Sequence, residues 1–267
     1  SGAKLYYINL ESGKATEIGN LGTFKDVNGL AIQTDPVAYA VDETNNLLIF
    51  NPLQPEPVMK PITGLPAGES IEGIDFRPFN GQLYALSNAS KIYTLNTSNG
   101  AATMIGAAPI SATLSGTSFG FDFNPTVDRI RIVSNTGQNL RIHPETGAVA
   151  ASDMNINPAG SAISQVAYTN NFSGATTTVL YDIDAKAGKL FRQDPPNNGT
   201  LVEVGSLGIL ASEKGGFDIG GTSGKAYALL QVSGSVNIYT ISLTDGKATV
   251  LASFPKSVTS FAMGLGF

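Results

Sequence analysis

Three aspartates recur in one local setting: Gly73-Ile-Asp75-Phe76, Gly120-Phe-Asp122-Phe123 and Gly216-Phe-Asp218-Ile219. Carboxylates at one repeated position can form an acidic collar around a cation, or can accept backbone N–H bonds from neighbouring elements. A feature shared by three units is read as architecture, because a ligand site has no need of such repetition. A second group is cationic. Arg129, Arg131 and Arg141, with Asn135, Gln138 and Asn139 as neutral hydrogen bonders, have the chemistry of an anion or carboxylate site. The competing reading makes Arg131 a staple between two structural units, paired with Asp122 or Asp75, with Arg129 and Arg141 on exposed edges. A third pair, Asn28 and Glu72, offers oxygen ligands to calcium. A hard cation takes about six to eight oxygens, so two side chains alone support a metal poorly.

Composition removes other chemistries. The 267 residues contain no cysteine and one histidine, so thiolate zinc, cysteine nucleophiles, disulfides and multi-histidine metal sites are excluded within one chain. His143 lies where a turn is expected, with no evident partner for general-base work. A net charge of −5 and a pI near 4.9 argue against nucleic acid as a partner. No apolar run is long enough to span a bilayer, so no transmembrane segment is expected, and the start at Ser1 reads as neither signal nor anchor. The charged fraction is only 14%, and the polar surface leans on Ser, Thr and Asn, which fits an exported protein.

The elements that position these residues follow from an internal period. Weaker copies of the Gly-x-Asp stretch are Gly29–Ile32, Gln165–Tyr168 and Gly264–Phe267, so the starts recur at steps of 44 to 51 residues. Periods of this size, with four short strands each, mark β-propeller blades. Within each unit a second strand follows a turn, as in Gln82–Leu86 and Arg129–Val133. A third runs into a glycine-closed turn, as in Ile92–Leu95 before Gly100, and a fourth ends the unit, as in Ala102–Ile105. No window has a helical period. The reading is an all-β, six-bladed propeller in a single domain, 1–267. Its blades lie at about 29–66, 72–106, 119–153, 164–207 and 215–254, with a closing blade of 260–267 and 4–20. The residue arithmetic leaves that closing blade one strand short, hence three-stranded.

Asn28, Glu72 and Ser164 precede first strands and are expected at the channel mouth. Arg131 stands where the other units carry Tyr39, Tyr84, Tyr181 and Tyr227. An inward guanidinium there needs a partner. The interblade segments 106–118 and 153–164 are long, small-residue loops of the kind that make contact surfaces.

The stretch 120–147, with Tyr168-Thr-Asn-Asn-Phe172, Tyr181-Asp-Ile-Asp184 and Asp194-Pro-Pro-Asn-Asn-Gly-Thr200, resembles a family of exported bacterial proteins catalogued only as a domain of unknown function. The resemblance runs from about Gly29 to Phe267 and implies secretion and a propeller-like fold; it brings no activity, cofactor or catalytic residue. The expected function is therefore a secreted or cell-surface propeller, monomeric and without inferred catalysis. It would bind an unknown protein, small-molecule or glycan ligand through its interblade-loop face. Two alternatives stay open: a calcium-dependent lactonase-, esterase- or lyase-like enzyme with a metal at the mouth, and a structural module of a larger surface protein.

Overall fold

Short runs of β-branched and aromatic residues, cut by Gly, Asn, Asp and Pro turns, leave little choice but antiparallel strands. The computed structural model describes residues 4–8, 12–20 and 35–267. It divides into two compact units, Ser1–Asp35 and Pro36–Phe267. In the first, Lys4–Ile8 pairs antiparallel with Ala15–Asn20 as a two-stranded sheet, with an ion pair between Lys4 and Glu17 at 2.8 Å.

The second unit holds five four-stranded sheets. From the innermost strand outward, blade 1 is Val258–Met263, Ala38–Asp42, Asn46–Asn51 and Gln54–Pro61. Blade 2 is Ile71–Phe76, Leu83–Ser87, Ile92–Leu95 and Ala102–Ile105, and blade 3 is Phe119–Asn124, Arg129–Ser134, Asn139–Ile142 and Val149–Ser152. Blade 4 is Ile163–Tyr168, Leu180–Asp184, Lys189–Gln193 and Leu201–Ser206, and blade 5 is Gly215–Ile219, Ala226–Val232, Ser235–Ile241 and Ala248–Ser253. The five innermost strands contact one another in a closed ring. One short 3₁₀ turn, Pro196–Asn198, is the only helix among the described residues.

The blade count is therefore five, not six. Ala38–Asp42 pairs with Val258–Met263, so what reads as a first blade and a sixth are one sheet. That closing blade has four strands, not three, and draws them from 38–61 instead of 4–20. Lys4–Ile8 and Ala15–Asn20 carry the local signature of third and fourth strands because any short hairpin with a glycine turn does. Such a pattern encodes the turn and not the neighbour. The register at the C-terminal side also moves: Ser260-Phe261-Ala262-Met263 is the inner-strand equivalent, and Gly264 lies just beyond the strand, its N–H donating to the Val37 carbonyl. Gly29–Ile32 lies outside the described residues.

The core is a set of layers between blades. Phe50, Phe254 and Phe261 pack between blades 5 and 1, while Tyr84, Leu86, Phe121, Phe123 and Ile132 pack between blades 2 and 3. The glycine of the repeat belongs to this packing. A Cβ on Gly73 would stand 2.5 Å from Phe121 Cβ, one on Gly120 2.8 Å from Val166 Cγ1, and one on Gly216 2.5 Å from the Phe261 nitrogen. Each glycine leaves room for the next blade to approach the axis.

Candidate functional site

Two residues beyond each of these glycines, on the same side of its strand, stands the aspartate. Asp75 accepts from the Phe76 N–H and, across the blade boundary, from the Phe123 N–H at 2.8 Å. Asp122 accepts from the Tyr168 N–H at 3.1 Å, and Asp218 from the N–H groups of Ile219 and Met263, both at 2.6 Å. The Gly-x-Asp stretch thus has a mechanical reading: the glycine admits the next blade and the carboxylate hooks its backbone. Blades 4 and 1 carry Ala167 and Ala262 at this position, so the hook spans three of the five boundaries.

The same three carboxylates converge on the axis. Each residue is about 1% exposed, and one oxygen from each lies within 4.8 Å of the others. Burial raises all three well above the ordinary carboxylate range, reinforced at Asp75 by the charge of Asp218 and at Asp122 by those of Asp75 and Asp218. Asp218, held by two backbone N–H groups, is pushed up to about 7. Asn171, from the segment after the inner strand of blade 4, brings its side-chain amide close enough to Asp75 to offset part of that rise. It is 3% exposed, and its Oδ1 has no partner among the described residues.

Nearer the start of the inner strands the channel is a narrow cavity of about 20 Å³, enough for one water-sized group. Its polar lining is Glu72, Ser164, Gln165 and Ser260. Glu72 is half-buried and accepts from the Ser70 hydroxyl at 2.8 Å. Ser164 Oγ, Gln165 Oε1 and Ser260 Oγ are buried without a partner among the described residues. Ser164 and Glu72 stand where the sequence places them. Ser260 and Gln165 were missed because the C-terminal register is shifted and because Gln165 occupies a glycine position of the repeat. Asn28 lies outside the described residues.

The arginine group separates into three. Arg131 is 2% exposed and fully engaged: it donates to Asp153 at 2.6 Å, Asn139 at 2.7 Å, Asn197 at 2.8 Å and the Tyr168 hydroxyl at 3.2 Å. Its partner is Asp153, not Asp122 or Asp75. Arg141, opposite Arg131 in register, grips the same carboxylate in bidentate fashion at 2.8 Å through both contacts. Burial works to raise Asp153, but these two guanidiniums win and hold it below the usual range. Arg129 sits at the other end of the strand and donates to its own turn, at the carbonyls of Val127 and Asp128. Asn135 and Gln138 clamp the 106–118 loop, through Thr117 and through Ser115 and Thr113, and Asn135 also reaches Glu213 at 3.1 Å. His143 is a half-buried turn residue whose Nδ1 accepts from the Glu145 N–H.

Facing the same interblade layer is Asp182, fully buried, with neither oxygen partnered among the described residues. Burial raises it well above the ordinary range, and the Arg131 charge offsets part of that. A raised folded pKa gives stability that is complete below the unfolded pKa and is lost as pH rises through the folded value. Asp182→Ala, which restores the apolar residue found at Ala85 and Ala228, is therefore expected to stabilise the protein. The gain is about 1–3 kcal/mol at pH 8 and smaller at pH 5, read by urea unfolding at both. Destabilisation at pH 8 would refute it.

No helix among the described residues is long and apolar enough to cross a membrane. A family model described as "Domain of unknown function (DUF4394)" matches residues 46–263. Among solved structures the chain is similar to a structural genomics protein of unknown function from Bacteroides thetaiotaomicron VPI-5482, at 14% identity and a TM-score of 0.55. That alignment covers 94% of this chain and 74% of the other. It is also similar to a chain of the nidogen/laminin complex, at 12% identity and a TM-score of 0.51, covering 86% and 98%. At these identities the likeness carries the propeller fold alone. A search of curated proteins finds no match.

Proposed function

Because the chain belongs to the family of domains of unknown function DUF4394, we propose a function drawn from its own channel: a non-catalytic binding propeller whose interblade-loop face takes a partner group that donates hydrogen bonds. The observation that carries this reading is the run of unpartnered buried oxygens, Ser164 Oγ, Gln165 Oε1 and Ser260 Oγ, in one cavity beside the Glu72 carboxylate. Four oxygen acceptors with one negative charge suit a protonated primary amine, whose three N–H donors need such a set. The cavity volume admits one such head group and no larger ring. The net charge of −5 draws cationic partners toward the protein. Loops braced by Asn135, Gln138 and Glu213 supply a fixed rim around the opening. Export, implied by the family resemblance and consistent with the Ser-, Thr- and Asn-rich surface, belongs to the same reading.

The probe is N-acetyl-lysine methylamide, with its norleucine counterpart as the uncharged control. Adding the lysine compound is expected to shift the side-chain amide resonances of Gln165, adding the norleucine compound to leave them unmoved, and Glu72→Gln to remove the response. Equal shifts from both compounds, or none from either, would sink the proposal. Turnover of lactones, esters or polysaccharides that Glu72→Gln abolishes would replace it with the enzymatic alternative.

A further inference from the structure

We propose that Asp75, Asp122, Asp218 and Asn171 together hold one calcium ion on the propeller axis, deeper in the channel than the mouth. Interblade hooking accounts for each aspartate separately, but it does not require their oxygens to meet. They do meet: oxygens no more than 4.8 Å apart share a point within about 2.8 Å of each, close to calcium–oxygen bonding distance. The independent sign is Asn171. It comes from outside the repeat, crosses from blade 4 toward Asp75 of blade 2, and leaves a carbonyl oxygen buried without a partner. Amide nitrogen and oxygen exchange places by a half-turn of the side chain. That turn points Oδ1 into the group as a fourth oxygen.

The charges fit as well. No lysine or arginine forms an ion pair with these aspartates among the described residues. Two positive charges would meet three carboxylates, and the remaining negative charge is spread over five backbone N–H donors, those of Phe76, Phe123, Tyr168, Ile219 and Met263. An all-oxygen, side-chain-rich site favours calcium over magnesium, which dehydrates reluctantly; water from the narrow cavity beside it would bring the four side-chain oxygens up to the roughly six or more that calcium takes. Each aspartate comes from a different blade, so the ion would tie three blades at one point. The reading is independent of the amine site, which uses other side chains.

The test uses the full chain, as purified and after EDTA. Elemental analysis is expected to find about one calcium per chain. EDTA should lower Tm, and calcium at about 100 times its Kd should restore it by roughly 5–10 °C. Asn171→Leu is expected to cut the calcium-dependent shift severalfold while changing the EDTA-treated Tm little, and Asp122→Asn to abolish the shift. Metal-free protein whose Tm ignores millimolar calcium overturns the proposal. So does a shift that Asn171→Leu leaves unchanged, which decides the matter even if Asp122→Asn fails to fold. A response to magnesium and none to calcium overturns the choice of ion.

Discussion

Arg131→Ala is expected to lose about 3–5 kcal/mol of stability, the cost of removing one partner from a buried charge network, which lowers Tm by roughly 10 °C or more. The size follows from what is stranded. Asp153 keeps Arg141 but loses its shortest contact, Asn139 and Asn197 lose a donor, and Asp182 loses the only charge that offsets its burial. Arg131→Tyr, which installs the residue of the other four blades, separates packing from charge. If position 131 were a packing site, tyrosine would be tolerated. With the network described here, it is expected to remain destabilising by at least about 2 kcal/mol, since a buried carboxylate pair outlives its guanidinium. Chemical unfolding of both variants reads the difference. A tyrosine variant as stable as the parent would show that the network is dispensable.

The second large effect is Gly216→Val. On strand preference alone this change should help, because glycine weakens a strand and valine suits one by about 0.5–1 kcal/mol. The opposite sign is expected. The new Cβ would sit 2.5 Å from the nitrogen and 2.6 Å from the Cβ of Phe261, and the first of these atoms belongs to the inner strand of the next blade. Backbone cannot turn aside as a side-chain tip can, so blades 5 and 1 must separate. A loss of about 3 kcal/mol or more is expected, at the upper end of overpacking costs. Gly224→Val would test a turn glycine and nothing about the blade boundary, so the informative comparison is Gly73→Val. There one atom, the Phe121 Cβ, stands closer than 3 Å where Gly216 meets two, so the blades must part less and a smaller loss is expected. Thermal unfolding of the two variants in parallel checks the ranking, and equal or reversed losses would contradict it.

The sequence carried the blades' interiors well. Ile92–Leu95 and Ala102–Ile105 fall where the pattern places them, and the Gly-x-Asp stretches mark three true inner strands. What it could not carry was pairing at a distance. The paired strands Lys4–Ile8 and Ala15–Asn20 and the strand Ala38–Asp42 look alike locally, and only their partners distinguish them. Arg131 announced itself by replacing a tyrosine, yet its partner Asp153 comes from an irregular interblade segment with no period to read. Asp182 did leave a signal: it is the one charged residue at a position that is otherwise Ala40, Ala85, Ile132 and Ala228. Asn171 left none, because a residue that acts by crossing the axis appears in no repeat.

Blade 1 joins Met263 to Ala38, a separation of 263 − 38 = 225 residues. Contacts that distant raise the average loop that must close, and folding slows accordingly. During synthesis blades 2 to 5 can each form from contiguous chain, while Ala38–Asp42 waits with its inner edge unpaired until residue 258 and its neighbours emerge. A waiting strand edge is a template for pairing with the wrong chain. The closure that removes the edge from the finished ring is thus its point of greatest exposure on the ribosome, and the burden on chaperones should fall there and not on the repeats between.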